Sequence, residues 1–277
     1  MLVNLDPVLK PARATGCCVG AFNVYSMETA NAVYRAALEL GTPVIFAFGE
    51  RYIDVANIKV IAAIVKTLAL DTNLPMVLHL DHCKDVPVIK RAVAAGFTSV
   101  MFDGSSLGFE DNLAQTRAVV EFAHGAGVTV EAELGSVPFD AADTNVPEEY
   151  LTRTAEAERF VAETGIDALA VAVGTAHGEY KGRPKIYHDL LEEIARAVPL
   201  PLVLHGGSGI PDEDVTRAIG TGIAKINVNT QISSAAVKCL REILRREKPG
   251  ALADIMKETE DAMAAEVKSF ITLFKNR

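Results

Sequence analysis

Three of the six histidines, His82, His177 and His205, stand just after short apolar runs. Imidazole is the commonest side-chain ligand for metals. Three histidines with one coordination position left open form the pattern of a catalytic Zn2+ site. The spacing is long-range, so the pattern has force only if the fold brings the three together. The competing reading is that each is an ordinary core or loop histidine with its hydrogen bonds satisfied. Asp81 and Glu133 stand beside the same run ends, which favours the metal reading. His79 lies two residues before Asp81, on the same face of an extended segment, and is expected to support the site from behind. His124, near a helix end, and His188, at a helix start, are expected to be solvent-exposed and carry no role.

A second constellation is rich in glycine. The segment His205-Gly206-Gly207-Ser208-Gly209-Ile210-Pro211 and the segment Asn227-Val228-Asn229-Thr230 each join an apolar run to a helical one. Backbone N–H groups with a helix N-terminus behind them stabilise an anion without Lys or Arg, so an acidic protein can hold a phosphate ester there. The plainer alternative is a tight strand-to-helix turn. Residues 174–182 read as a mobile loop able to close over a ligand. Lys181 within it is either a phosphate contact or a solvated charge, and the solvated charge is the plainer reading.

Elements must exist to position these groups. Eight short, mostly apolar runs read as strands: 19–24, 43–48, 76–80, 99–102, 128–133, 168–173, 202–205 and 224–228. Between them lie segments of helical period: 26–40, 58–70, 86–95, 109–123, 154–164, 188–197 and 212–220. Gly41, Gly96, Gly125, Gly165 and Gly220 stand where helix C-caps belong. Continuous apolar strands are expected when both sheet faces are covered. Eight βα units with no odd strand argue a closed (β/α)8 TIM barrel. A doubly wound open sheet would more often follow its first strand with G-x-G-x-x-G, and the first strand here ends Phe22-Asn23-Val24-Tyr25-Ser26. The chain reads as one domain over 1–277, with the barrel at about 19–232 and C-terminal helices at about 233–277. Nearly all the unusual polar residues then fall at the C-terminal ends of strands, the rim where this fold does its chemistry.

Composition excludes several classes. With 277 residues, 49% hydrophobic and 23% charged, the chain is long enough to bury a core without staples. Lys+Arg 27 against Asp+Glu 36 gives −9, which argues against nucleic-acid or membrane-surface binding. No apolar run approaches the ~20 residues of a membrane span. The N-terminus lacks the pattern of a signal peptide. Cys17, Cys18, Cys83 and Cys239 have neither CxxC spacing nor a disulfide framework, so a reducing, cytoplasmic compartment is expected.

The segments GAFNV (20–24), HLDHCKD (79–85), AGFTSVMFDGSS (95–106), VEAELGSV (130–137), LAVAVGTAHGEYKGRPKI (169–186), PLVLHGGSGIP (201–211) and AKINVNT (224–230) resemble the class II, zinc-dependent ketose-bisphosphate aldolases. That family includes fructose- and tagatose-bisphosphate aldolases. The resemblance implies that His82, His177 and His205 bind Zn2+ and that Asp81 is the acid/base at the C4 hydroxyl of a ketose. It implies reversible cleavage of a phosphorylated ketose to dihydroxyacetone phosphate and an aldehyde through a Zn-stabilised enediolate. Asn23, Gly178, Gly206, Gly207, Ser208 and the run Asn227, Val228, Asn229, Thr230 would hold the substrate and its phosphate. Asp103 and Glu133 match carboxylates that approach the metal in an alternative position. A monovalent cation (Na+ or K+) near the phosphate loops and a homodimer or homotetramer are implied as well, with residues 251–274 as candidate packing surface. Asp81 adjoins the ligand His82, and on a regular strand their side chains would diverge. Irregular backbone is expected there.

Three departures concern the aldehyde half. The loop after Glu133 lacks the family's usual carboxylate run, and Asp140 or Asp143 would have to substitute for the C3 proton. Gly49 stands where a serine often contacts the aldehyde, and the nearby Arg51 could bind a terminal phosphate or acid. The C-terminal region lacks an Asp-Pro-Arg segment. A standard donor with a non-standard acceptor is the resulting expectation. Rival readings are a metal-dependent TIM-barrel hydrolase, disfavoured because strand 1 has no H-x-H, and a Schiff-base aldolase, disfavoured because Lys225 reads as preceding strand 8. A non-catalytic scaffold or regulatory homologue is the third, disfavoured because Asp81 and all three histidines are present.

Overall fold

A computed structural model describes residues 1–138, 146–178 and 180–275. Eight parallel strands close into a barrel in sequence order: β1 (Val19–Asn23), β2 (Val44–Gly49), β3 (Met76–Cys83), β4 (Ser99–Phe102), β5 (Thr129–Leu134), β6 (Ala168–Val171), β7 (Leu202–Leu204) and β8 (Ile223–Val228). Closure is by parallel pairing of β1 with β8, Val19 opposite Lys225. The predicted (β/α)8 TIM barrel is the fold. Among the described residues no helix is long and apolar enough to cross a membrane.

Helices alternate with the strands, led by α1 (Asp6–Thr15) and α2 (Met27–Leu40) and continuing through α3 (Ile58–Leu70), α4 (Val86–Ala95), α5 (Phe109–His124), α6 (Thr154–Thr164), α7 (His188–Ala197) and α8 (Asp212–Thr221) to α9 (Thr230–Leu244) and α10 (Leu252–Lys275). The Ser26 and Thr29 side chains cap α2 reciprocally. Gly41, Gly96 and Gly165 cap their helices as expected. Gly125 keeps a right-handed conformation and the chain turns at Gly127 instead, while α8 runs through Gly220 to end at Gly222.

The strands and helices expected from sequence begin at residue 19, and α1 is an addition to them. Pro7 sits in the tolerated first turn, and Leu5, Val8, Leu9 and Ala12 recur at helical spacing. Those four are buried against the barrel's lower interior, with Ala21, Val77, Met101, Ala168 and Val203. Each large apolar side chain sealed there contributes about 1.5–3 kcal/mol. Helix α10 packs on α2 and α9, burying Met263, Val267, Phe270 and Phe274. Its apolar face is therefore used within the chain. His188 is buried, not exposed, with Nε2 3.3 Å from Asp214 Oδ1. His124 is exposed, with Nε2 2.8 Å from Asp167 Oδ2.

Side chains two apart on a strand share a face. His79 and Asp81, Glu131 and Glu133, and Lys225 and Asn227 are such pairs. Above the apolar floor thus comes a charged layer, His79, Glu131 and Lys225, all fully buried. Lys225 lies inside β8 and does not precede it.

Candidate metal and substrate site

Strand β3 runs three residues past its predicted end and carries Asp81 and His82. The expected irregularity is present. His82 has φ 48°, the one positive φ outside glycine among the described residues, and the pairing of β3 with β4 shifts register between Leu80 and Cys83. This twist turns two adjacent side chains toward one centre. Such backbone costs of order 1–3 kcal/mol and persists where surrounding contacts fix it. The carboxylate of Asp81 accepts hydrogen bonds from Asn23 Nδ2 at 3.1 Å and Asn227 Nδ2 at 2.8 Å. Burial alone would raise the Asp81 pKa, but His82, His205 and Lys225 outweigh it and hold Asp81 well below the usual carboxylate range. Asp81 is anionic at neutral pH.

The three histidines converge, though they come from β3, the loop after β6 and the end of β7. His82 Nε2 and His205 Nδ1 face each other at 2.7 Å. The His177 ring centroid lies 4.9 Å from that of His82 and 5.9 Å from that of His205. One nitrogen from each of the three rings lies within 4.8 Å of the others. The outer nitrogens of two rings are committed: His82 Nδ1 is 3.2 Å from Asp103 Oδ2, and His205 Nε2 is 3.0 Å from Glu131 Oε1. This donor set fits a divalent cation such as zinc, because ligating imidazoles use one nitrogen for the metal and the other for a carboxylate. His82, Asp103 and Glu133 form a second group of the same compactness, in keeping with the alternative position.

Burial would lower the His82 pKa, but Asp81, Asp103 and Glu133 outweigh it and raise it to about 9. Burial, then His82 and His205, lower His177 to about 3, and burial lifts Glu133 to about 8. The raised His82 value has a testable sign. Below pH 9 a proton would compete with a cation at His82, so zinc bound there would displace it. Apparent zinc affinity should rise with pH, approaching tenfold per unit below that value. Titration calorimetry at pH 7 and pH 8 checks this, and equal affinities would refute it.

A cavity of about 530 Å³ opens above these groups. Asn23, Asp81, His82, His177 and Gly178 line one side, and Gly206, Gly207, Ser208, Asn227, Asn229 and Thr230 the other. At Gly206, φ 70° and the Ala176 carbonyl oxygen 2.3 Å from an added Cβ leave room for glycine alone. Gly207 is similarly crowded, and its N–H is donated to the Asn227 carbonyl at 3.0 Å. This bond locks the β7 loop to β8. Val228 turns its side chain into the hydrophobic core. The N-terminus of α9 and the side chains of Ser208, Asn229 and Thr230 are polar groups the loops present. Lys181 is exposed and outside the cavity wall. Asp140 and Asp143 lie outside the described residues.

The wall also holds residues that the sequence reading did not single out: Glu50, Tyr52, Lys84, Ser233 and Ser234. Tyr52 Oη is 3.0 Å from Asn229 Nδ2, and Arg51 stacks over the Tyr52 ring at 5.2 Å. Glu50 Oε2 accepts the Lys84 N–H at 2.9 Å and ties the turn after β2 to β3. Beneath the histidines, Glu131 and Lys225 were likewise missed as partners, although period two along β5 and β8 points both inward.

The sequence profile described as fructose-bisphosphate aldolase class-II matches residues 3–277. A fructose-bisphosphate aldolase of Staphylococcus aureus (strain Mu50 / ATCC 700699) is 40% identical over 284 residues, covering 98% of each chain. A sulfofructosephosphate aldolase of Alkalicoccus urumqiensis is 36% identical, covering 96% of this chain and 94% of its own. The crystal structure of the YdjI aldolase from Escherichia coli K12 superposes with a TM-score of 0.90 at 32% identity, covering 99% of this chain and 97% of that one. A whole-length family match and near-complete coverage of these relatives have one meaning: the chain belongs to the class-II fructose-bisphosphate aldolase family and is an aldolase, a carbon–carbon lyase.

Proposed function

We propose that this enzyme reversibly cleaves a phosphorylated ketose to dihydroxyacetone phosphate and an aldehyde, with zinc held by His82, His177 and His205. The observation that carries this reading is the convergence of those three rings beside a buried, anionic Asp81 at the floor of the cavity. Asp81 takes the proton of the C4 hydroxyl as the C3–C4 bond breaks and returns it during condensation. The amides of Asn23 and Asn227 hold the carboxylate in place for that transfer. A divalent ion supplies a Lewis acid for the ketone oxygen and for the negative charge left on the donor half. Ser208 and the α9 N-terminus hold the donor phosphate, where aligned N–H groups favour an anion. The imine alternative is disfavoured by Lys225, whose Nζ is sealed in the barrel 2.7 Å and 2.9 Å from the two Glu131 oxygens. Chelation should abolish cleavage, while borohydride with substrate should leave activity intact. Chelator-resistant cleavage would refute the metal reading.

The acceptor half is read as anionic. Arg51 and Lys84 are the arginine and the lysine on the cavity wall, and neither is in an ion pair among the described residues. Arg51→Ala should lower kcat/KM about 10–100-fold for a ketose 1,6-bisphosphate, the loss of a charge-assisted contact worth about 1.5–3 kcal/mol. The 1-monophosphate should be nearly unaffected. A kinetic panel of both substrates checks this. Equal losses on the two would assign Arg51 to the donor phosphate instead.

A further inference from the structure

The charged layer beneath the histidines has no part in the chemistry described so far, yet it touches the site at one atom. Glu131 on β5 and Lys225 on β8 meet on the barrel axis, both wholly buried. Lys225 donates to Glu131 Oε1 at 2.9 Å and Oε2 at 2.7 Å. Its third N–H direction is taken by His79 Nε2 at 3.5 Å, and His79 Nδ1 lies 2.8 Å from Ser99 Oγ. An ammonium group only donates, so His79 Nε2 must be the lone-pair nitrogen and Nδ1 carries the hydrogen toward Ser99. The same accounting applies on the other side. A carboxylate only accepts, so the contact of 3.0 Å between His205 Nε2 and Glu131 Oε1 requires a hydrogen on Nε2. The lone pair of His205 is then on Nδ1, the atom that faces His82 Nε2. His82 is arranged the opposite way, with Nδ1 on Asp103 and Nε2 inward.

We propose that the buried Lys225–Glu131 ion pair is a positioning device, fixing His205 in its Nε2–H tautomer so that Nδ1 faces the metal. A carboxylate alone in this layer could swing between the rings and would be an uncompensated buried charge. Clamped through both oxygens by Lys225, Glu131 has one orientation and no net charge to leave behind. Lys225 therefore acts on His205 through Glu131, at one remove from the metal.

This inference rests on the metal reading above, and the test separates the two. In zinc-loaded wild-type protein, 15N spectra should show His205 protonated at Nε2 and metal-bound at Nδ1. The reverse assignment would overturn the proposal without any variant. Glu131→Asp keeps the charge for Lys225 but shortens the side chain, withdrawing it from His205. Zinc affinity, measured by chelator competition, should fall about 10–100-fold, as for other lost partners of ligating histidines. The His205 signals should at the same time show mixed tautomers. Should Glu131→Asp fail to fold, the neutral double variant Glu131→Gln/Lys225→Met serves. Gln presents either its oxygen or its NH2 to His205, so the same tautomer mixing and at least a tenfold loss of zinc affinity are expected. Either folded variant with wild-type zinc affinity and unchanged His205 signals would overturn the proposal. Wild-type protein that binds no zinc would instead overturn the metal reading.

Discussion

Asp81→Ala should lower kcat for ketose cleavage by about 10²–10⁴-fold, the range that a positioned proton-transfer group supplies, while leaving zinc bound. The carboxylate's two hydrogen-bond partners, Asn23 and Asn227, are amides, and the group lies outside the histidine trio. Its removal therefore takes away a base without taking away a ligand. A second consequence separates this from a general loss of structure. Asp81 is the largest of the charges that raise the His82 pKa. Without it the competing His82 proton and the cation both lose one attraction, and with all three imidazoles in place zinc should stay bound at neutral pH. Metal content by atomic absorption, alongside a dihydroxyacetone phosphate assay, reads both effects. A rate within tenfold of wild type would remove Asp81 from its role.

His205→Ala should abolish both stable zinc binding and turnover. The loss of affinity should exceed the ~10–100-fold that a missing orienting partner costs, because a ligand atom itself is gone. The fold should survive. Glu131 keeps Lys225, and the apolar floor below that layer is intact, so the substitution opens space at the rim and leaves the core sealed. The thermal midpoint and zinc retained after dialysis against chelator check this together. Full metal content in the variant would show that another group holds the ion.

The convergence of the histidine trio was legible because each histidine follows a strand, and a closed parallel barrel brings strand ends to one rim. The break at His82 was legible too, since adjacent residues of a regular strand cannot both face a common centre. Other features were hidden for identifiable reasons. Lys225 reads as a polar strand boundary until Glu131, ninety-four positions away, supplies the partner that lets a lysine be buried. Glu131 itself shares a face with Glu133, and only its height on the strand separates a support from a rim residue. Gly207 reads as a free N–H donor because its acceptor, the Asn227 carbonyl, belongs to the neighbouring strand. Helix α1 was masked by two prolines, one in a tolerated first-turn position. Helix α10 has an apolar stripe that sequence alone assigns equally well to a second subunit or, as found, to α2.

The stopper formed by α1 decides traffic through the barrel. With Leu5, Val8 and Leu9 filling the lower opening, the cavity among the described residues opens at the top of the barrel. The three histidines lie at the bottom of that shaft and the glycine-rich loops along its wall, so on the proposed function a seated sugar would roof over the ion. Loading would then be ordered, cation before ketose, and an occupied enzyme should surrender its metal to chelator more slowly than an idle one.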